Sequence, residues 1–84
     1  MQTITITRKI DKANNKASFL IDSHKIAVVR QNSALPTGYY VGHVRGFGDL
    51  FAYNHGFDDS VNNITTFIRN TFSHEFGIEV KFID

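Results

Sequence analysis

The stretch GYYVGHVRGFGDLFAYNHGF, residues 38–57, decides the fold. It carries Tyr39, Tyr40, Phe47, Phe51, Tyr53 and Phe57, six of the eleven Phe and Tyr residues, and all the glycines except Gly77. β-Prone aromatic residues interleaved with turn-forming glycines predict two strands, residues 39–44 and 50–53, joined by a tight connection over residues 45–49. A glycine within the first strand, Gly42, predicts either a bulge or a close approach by another backbone or a bulky ring. The pair reads as the central hairpin of a sheet, with a helix packed on it.

Upstream of this hairpin the chain reads as strands. Thr3-Ile4-Thr5-Ile6-Thr7 alternates strictly, which predicts a half-buried strand running to about Ile10. A polar turn over residues 11–16 leads into Ala17-Ser18-Phe19-Leu20-Ile21, placing Phe19 and Ile21 on the core face of Ile4 and Ile6. A second turn at residues 22–25 precedes a third strand, Ile26-Ala27-Val28-Val29-Arg30, and a loop around Pro36 follows.

Downstream comes one helix and a closing strand. Val61, Ile64, Phe67, Ile68, Phe72 and Phe76 recur at helical spacing, with Asp58 or Asp59 as N-cap and Gly77 as the left-handed residue just past the end. The helix interior holds Asn62, Asn63, Thr65, Thr66, Asn70 and Thr71, all weak helix formers, so packing must hold it. Its outer face (Asn62, Asn63, Thr66, Arg69, Asn70, Ser73) is nearly uncharged, either as a contact surface or simply as a polar one. Ile78-Glu79-Val80-Lys81-Phe82-Ile83 alternates again. The prediction is a single α+β domain over residues 1–84, with an antiparallel sheet of five to six strands and one helix, in the order β-β-β-β-β-α-β.

Composition narrows the function. There is no Cys, which excludes disulfides, thiolate zinc sites and Cys nucleophiles. No apolar run reaches the ~20 residues that span a bilayer, and the N-terminus lacks a signal-peptide pattern, so a cytoplasmic protein without membrane contact is expected. The net charge of +1 conceals an asymmetry. Arg8, Lys9, Lys12, Lys16, Lys25, Arg30 and Arg45 outweigh Asp11 and Asp22 in the first 45 residues. After them Asp49, Asp58, Asp59, Glu75, Glu79 and Asp84 outweigh Arg69 and Lys81. The split makes a basic face if the halves separate in space, and vanishes if the strands interleave.

No catalytic constellation emerges. His43, His55 and an Asp can be drawn as a metal site, but their spacing matches no metal motif, and neither Ser23-His24 nor Ser73-His74 has the glycine-flanked turn of a nucleophilic serine. Gly46-Phe47-Gly48 lacks the Lys-Ser/Thr and following helix of a phosphate loop. No enzyme, metal or cofactor is expected. Tyr39, Tyr40 and Tyr53 beside Lys25, Arg30 and Arg45 offer an alternative, a nucleic-acid-binding sheet.

Between residues 26 and 68 the order strand, loop, Gly38-Tyr39-Tyr40-Val41, glycine turn, short strand, Gly56-Phe57-Asp58-Asp59-Ser60-Val61 and amphipathic helix resembles the HicB-type antitoxin domain. The acidic, proline-containing turn usual there is replaced by Val44-Arg45-Gly46-Phe47-Gly48, and an extra hairpin precedes it. The resemblance implies a stoichiometric inhibitor that covers a protein target. The expected function is therefore that of a small non-enzymatic binding protein of the antitoxin, immunity or phage counter-defence kind. Tyr39, Tyr40, Arg45, Phe47 and Tyr53 are its candidate contact residues, and its partner is a protein target, with a homodimer compatible.

Overall fold

A computed structural model describes residues 2–84. Five strands come first: β1 (Gln2–Asp11), β2 (Lys16–Ile21), β3 (His24–Gln31), β4 (Tyr39–Val44) and β5 (Gly48–His55). Helix α1 (Phe57–Phe76) and strand β6 (Ile78–Ile83) complete the chain. The element order agrees with the α+β expectation, and the strands form one six-stranded sheet in the order β5-β4-β3-β2-β1-β6.

The meander from β1 to β5 is antiparallel throughout. The β1–β2 turn falls at the Asn-rich polar segment, where Asp11 accepts hydrogen bonds from the backbone and side-chain N–H groups of Asn14. The β2–β3 connection is only Asp22-Ser23, both at positive φ (49° and 73°), which matches the twist of a two-residue hairpin. Two features depart from the expectation. β6 pairs with β1 in parallel, Gln2 opposite Ile78 through Thr7 opposite Ile83, so the sheet is mixed. The β4–β5 hairpin is the sheet's margin and not its centre, because α1 carries the chain across to the far side of β1. Five strand spacings of ~4.8 Å make a sheet about 24 Å wide, and a 20-residue helix is about 30 Å long, enough to cross it.

β1 is staggered between its two neighbours. Thr7–Asp11 pair with β2, while Gln2–Thr7 pair with β6. Arg8 lies where these two regions meet and joins them to the helix: it donates to both carboxylate oxygens of Asp84 (2.6 and 2.8 Å) and to Thr65 Oγ1 (3.1 Å).

The core lies between one sheet face and α1, and comprises Ile6, Ala17, Phe19, Ala27, Val29, Tyr40, Val44 and Val80 from the sheet, with Val61, Ile64 and Ile68 from the helix. Ile4 and Ile21 pack at its border, on the face assigned to them by alternation. Gly42 explains how the helix sits so close. A methyl group built there would overlap Cγ1 and Cδ1 of Ile64, which is fully buried. The close neighbour is thus an aliphatic side chain of the helix, and burying it contributes about 1.5–3 kcal/mol.

Helix boundaries follow local chemistry, with one correction. The N-cap is Gly56, with no side-chain cap; Asp58 and Asp59 lie in the first turn, where they face the positive end of the helix dipole. At the other end Gly77 is left-handed (φ 62°, ψ 30°), and its N–H donates to the carbonyls of Phe72 and Ser73. The buried stripe is Ser60, Val61, Ile64, Thr65 and Ile68. Phe76, expected on the core face, is 63% exposed and packs edge-to-face on Phe72. Periodicity marks the rows of a helix but not where the sheet beneath it ends.

Candidate functional site

The five candidate contact residues divide between core, hairpin tip and two faces. Tyr40 points to the helix, is 6% exposed and stacks edge-to-face on Phe57 at 5.7 Å, so it is a core residue with no surface to offer a partner. Tyr39, on the opposite face, is half-buried and lies edge-on against His55 at 5.2 Å. Tyr53 is 78% exposed on β5. Arg45 and Phe47 share the β4–β5 turn, and the turn sends them to different faces.

On the helix side, Phe47 (55% exposed) packs edge-to-face on Phe67 of α1 at 5.2 Å, and Phe51 (42% exposed) does the same at 6.3 Å. Strand and helix patterns put Phe51 in the hairpin and Phe67 on the core face of the helix, and neither pattern shows that they meet. The signal was the unusual density of Phe at residues 47, 51 and 67, but their meeting depends on tertiary packing. The backbone contributes a second feature. Phe51 has φ 56°, in the left-handed region that a bulky residue avoids. The distortion coincides with a register shift in which Tyr40 pairs with Asn54 but Gly42 already pairs with Leu50. Asn32 Nδ2 donates to the Ala52 carbonyl at 3.0 Å and holds the irregular segment from the β3–β4 loop. Around Phe67 the helix offers Asn63, Thr66 and Asn70, so the rim of the patch is polar and uncharged.

On the opposite sheet face no helix covers the strands. A cross-strand row there runs Asp49, His43, Val28, Ser18, Lys9. His43 Nδ1 lies 2.9 Å from Asp49 Oδ1, and an Arg30 guanidinium nitrogen lies 3.9 Å from the same oxygen. Beside this row Lys25, His43 and Arg45 line a depression of about 210 Å³ together with the β3 segment Ile26-Ala27-Val28. The chain's charge asymmetry is therefore partly spatial. The cations Lys9, Lys25 and Arg30 belong to inner strands, whereas Asp49 and Glu79 belong to the marginal strands and Asp58, Asp59 and Glu75 to the helix.

The histidines do not converge. His43 pairs with Asp49, while His55 is drawn against Tyr39 at the other end of β5. Among the described residues no three His, Asp or Glu side chains gather as a metal-ligand set, and no helix is long and apolar enough to cross a membrane.

The likeness to HicB-type antitoxin domains rests on the element order of residues 26–68, for no family model, no curated protein and no solved structure matches this chain.

Proposed function

We propose that the chain is a non-enzymatic protein-binding domain that engages one partner protein through the Phe47–Phe51–Phe67 patch. Tyr53 is exposed on the same strand as Phe51, and Arg45 turns from the tip of the hairpin to the opposite sheet face. The observation that carries this reading is Phe51: a large apolar residue kept at positive φ and left 42% exposed. Such backbone strain costs about 1–3 kcal/mol and persists where the surroundings over-determine it, as at binding sites. Phe47 and Phe51 each pack edge-to-face on Phe67, so little side-chain freedom is lost on contact. Aromatic anchors with a neutral polar rim are the pattern of a protein interface. A stoichiometric inhibitor of the antitoxin, immunity or counter-defence kind, acting in the cytoplasm, uses such a surface and needs no catalytic group.

The test compares the parent chain with Phe51→Gly and Phe47→Ser as bait in lysate of the source cell. Glycine suits φ 56°, so Phe51→Gly removes the ring while keeping the backbone. A partner retained at one-to-one stoichiometry by the parent and lost by both variants, with unchanged circular dichroism, supports the reading. Equal retention by all three refutes it.

The cationic depression supports a second reading, nucleic-acid binding on the open face by Lys25, Arg30 and Arg45. It is the weaker one, because Tyr40 is buried and Tyr39 is packed edge-on, so the sheet presents no row of stacking rings. Its signature is a steep fall of oligonucleotide affinity with salt, abolished by Lys25→Glu with Arg45→Glu.

A further inference from the structure

The sheet has two marginal strands of different character. β5 is irregular, with Phe51 at positive φ and a register shift, features that blunt an edge against pairing. β6 is regular. It pairs with β1 on one side only, and its other edge presents an unbroken row of backbone donors and acceptors. Ile78, Val80 and Phe82 face the helix, Val80 and Phe82 packing in or against the core, while Glu79, Lys81 and Ile83 face the open side. Among the described residues neither Glu79 nor Lys81 has an ion-pair partner within the chain.

We propose that this edge pairs with the same edge of a second copy, antiparallel and centred on Val80. The register follows from two constraints. Residues directly opposite one another in an antiparallel pair share a face, so the two-fold axis must pass through a residue and not between two. Centring on Glu79 or on Lys81 sets like charges opposite each other, which is destabilising. Centring on Val80 sets Glu79 opposite Lys81 of the second copy, twice by symmetry, with Ile78 opposite Phe82. The strand is thus complementary to itself in one register. Because the two β6 strands run in opposite directions, the helix C-termini fall at opposite ends of the pair. Each exposed Phe76 then comes beside the Phe82 end of the other copy. The result is a closed two-fold dimer with one continuous twelve-stranded sheet.

This inference is independent of the aromatic patch, which lies on the opposite margin of each copy. The test is sedimentation velocity over a concentration series of the parent chain, Glu79→Lys, Lys81→Glu and the double exchange, each checked for folding by circular dichroism. The parent dimerises reversibly. Each single variant, which creates two like-charge pairs, weakens dimerisation by ~10-fold or more, and the loss shrinks at high salt. The double exchange restores it. A parent chain monomeric throughout the series overturns the proposal. So does association that continues beyond the dimer, or a double exchange no better than the single variants.

Discussion

Gly42→Ala tests most directly how the helix meets the sheet. Gly42 is not among the glycines at positive φ, so alanine suits its backbone, and in the unfolded chain the substitution removes freedom worth about 0.4–1 kcal/mol in favour of folding. Against this, the new methyl overlaps Ile64 Cγ1 and Cδ1, and Ile64 is fully buried between α1 and the sheet. Forcing a methyl into a filled core costs about 1–3 kcal/mol. The core term wins, and the net expectation is a loss of about 1–2 kcal/mol, a large part of the ~3–5 kcal/mol that a domain of this size commands. At about 4–8 °C per kcal/mol, the melting temperature falls by about 5–15 °C. Urea denaturation of Gly42→Ala, Ile64→Val and the double variant isolates the cause. Ile64→Val alone removes Cδ1 and costs about 0.5–1.5 kcal/mol. If the overlap is responsible, Gly42→Ala costs at least ~0.5 kcal/mol less in the Ile64→Val background. Strict additivity, or a Gly42→Ala variant as stable as the parent, would show that the helix does not rest on this position.

Two further outcomes follow from the ends of the fold. Gly77→Val lowers the melting temperature by an amount equivalent to about 1 kcal/mol or more, whereas Gly77→Asn is much milder; since no atom lies near the position, the loss comes from the backbone alone, and an unchanged Gly77→Val refutes the left-handed cap. The second concerns acid. Arg8 holds the Asp84 carboxyl below its ordinary value, and the Asn14 hydrogen bonds do the same for Asp11. A carboxyl whose value is depressed by folding contributes stability above the unfolded-state value near ~4 and loses it as pH falls through the folded-state value. Urea midpoints therefore drop below about pH 4, and Asp84→Asn flattens part of that drop; an acid limb identical to the parent's would remove Arg8–Asp84 from the account.

Much of the chain was legible because local chemistry and tertiary demand coincide. The alternation in β1, the Asn-rich turn, the bounds of β4 and the glycine that ends α1 each have one physical solution. Features decided by distant partners were not legible. The parallel pairing of β6 with β1 depends on how far α1 carries the chain, and nothing in Ile78–Ile83 distinguishes a parallel neighbour from an antiparallel one. Phe51 reads as an ordinary strand residue, since glycine or asparagine normally marks positive φ. Tyr39 and Tyr40 had to face opposite ways, yet which ring faced the helix became clear only with Gly42 under Ile64. An acidic residue at position 58 or 59 fits an N-cap as well as a first turn, because carboxylates favour both places.

The stagger of β1 also sets a schedule for synthesis. Its second half finds β2 as soon as the first hairpin emerges, but its first half, with Ile4 and Ile6, has no neighbour until β6 has been made. Arg8 and Asp84, which close that junction, lie 76 positions apart. At ~5–20 residues per second the ribosome needs about 4–15 s to bridge that separation. Throughout that interval the nascent chain carries an apolar strand with open hydrogen-bonding edges. The alternating threonines of β1 keep one side of that waiting strand wettable, and a slowed ribosome within the α1 codons lengthens the period in which the apolar side stays uncovered.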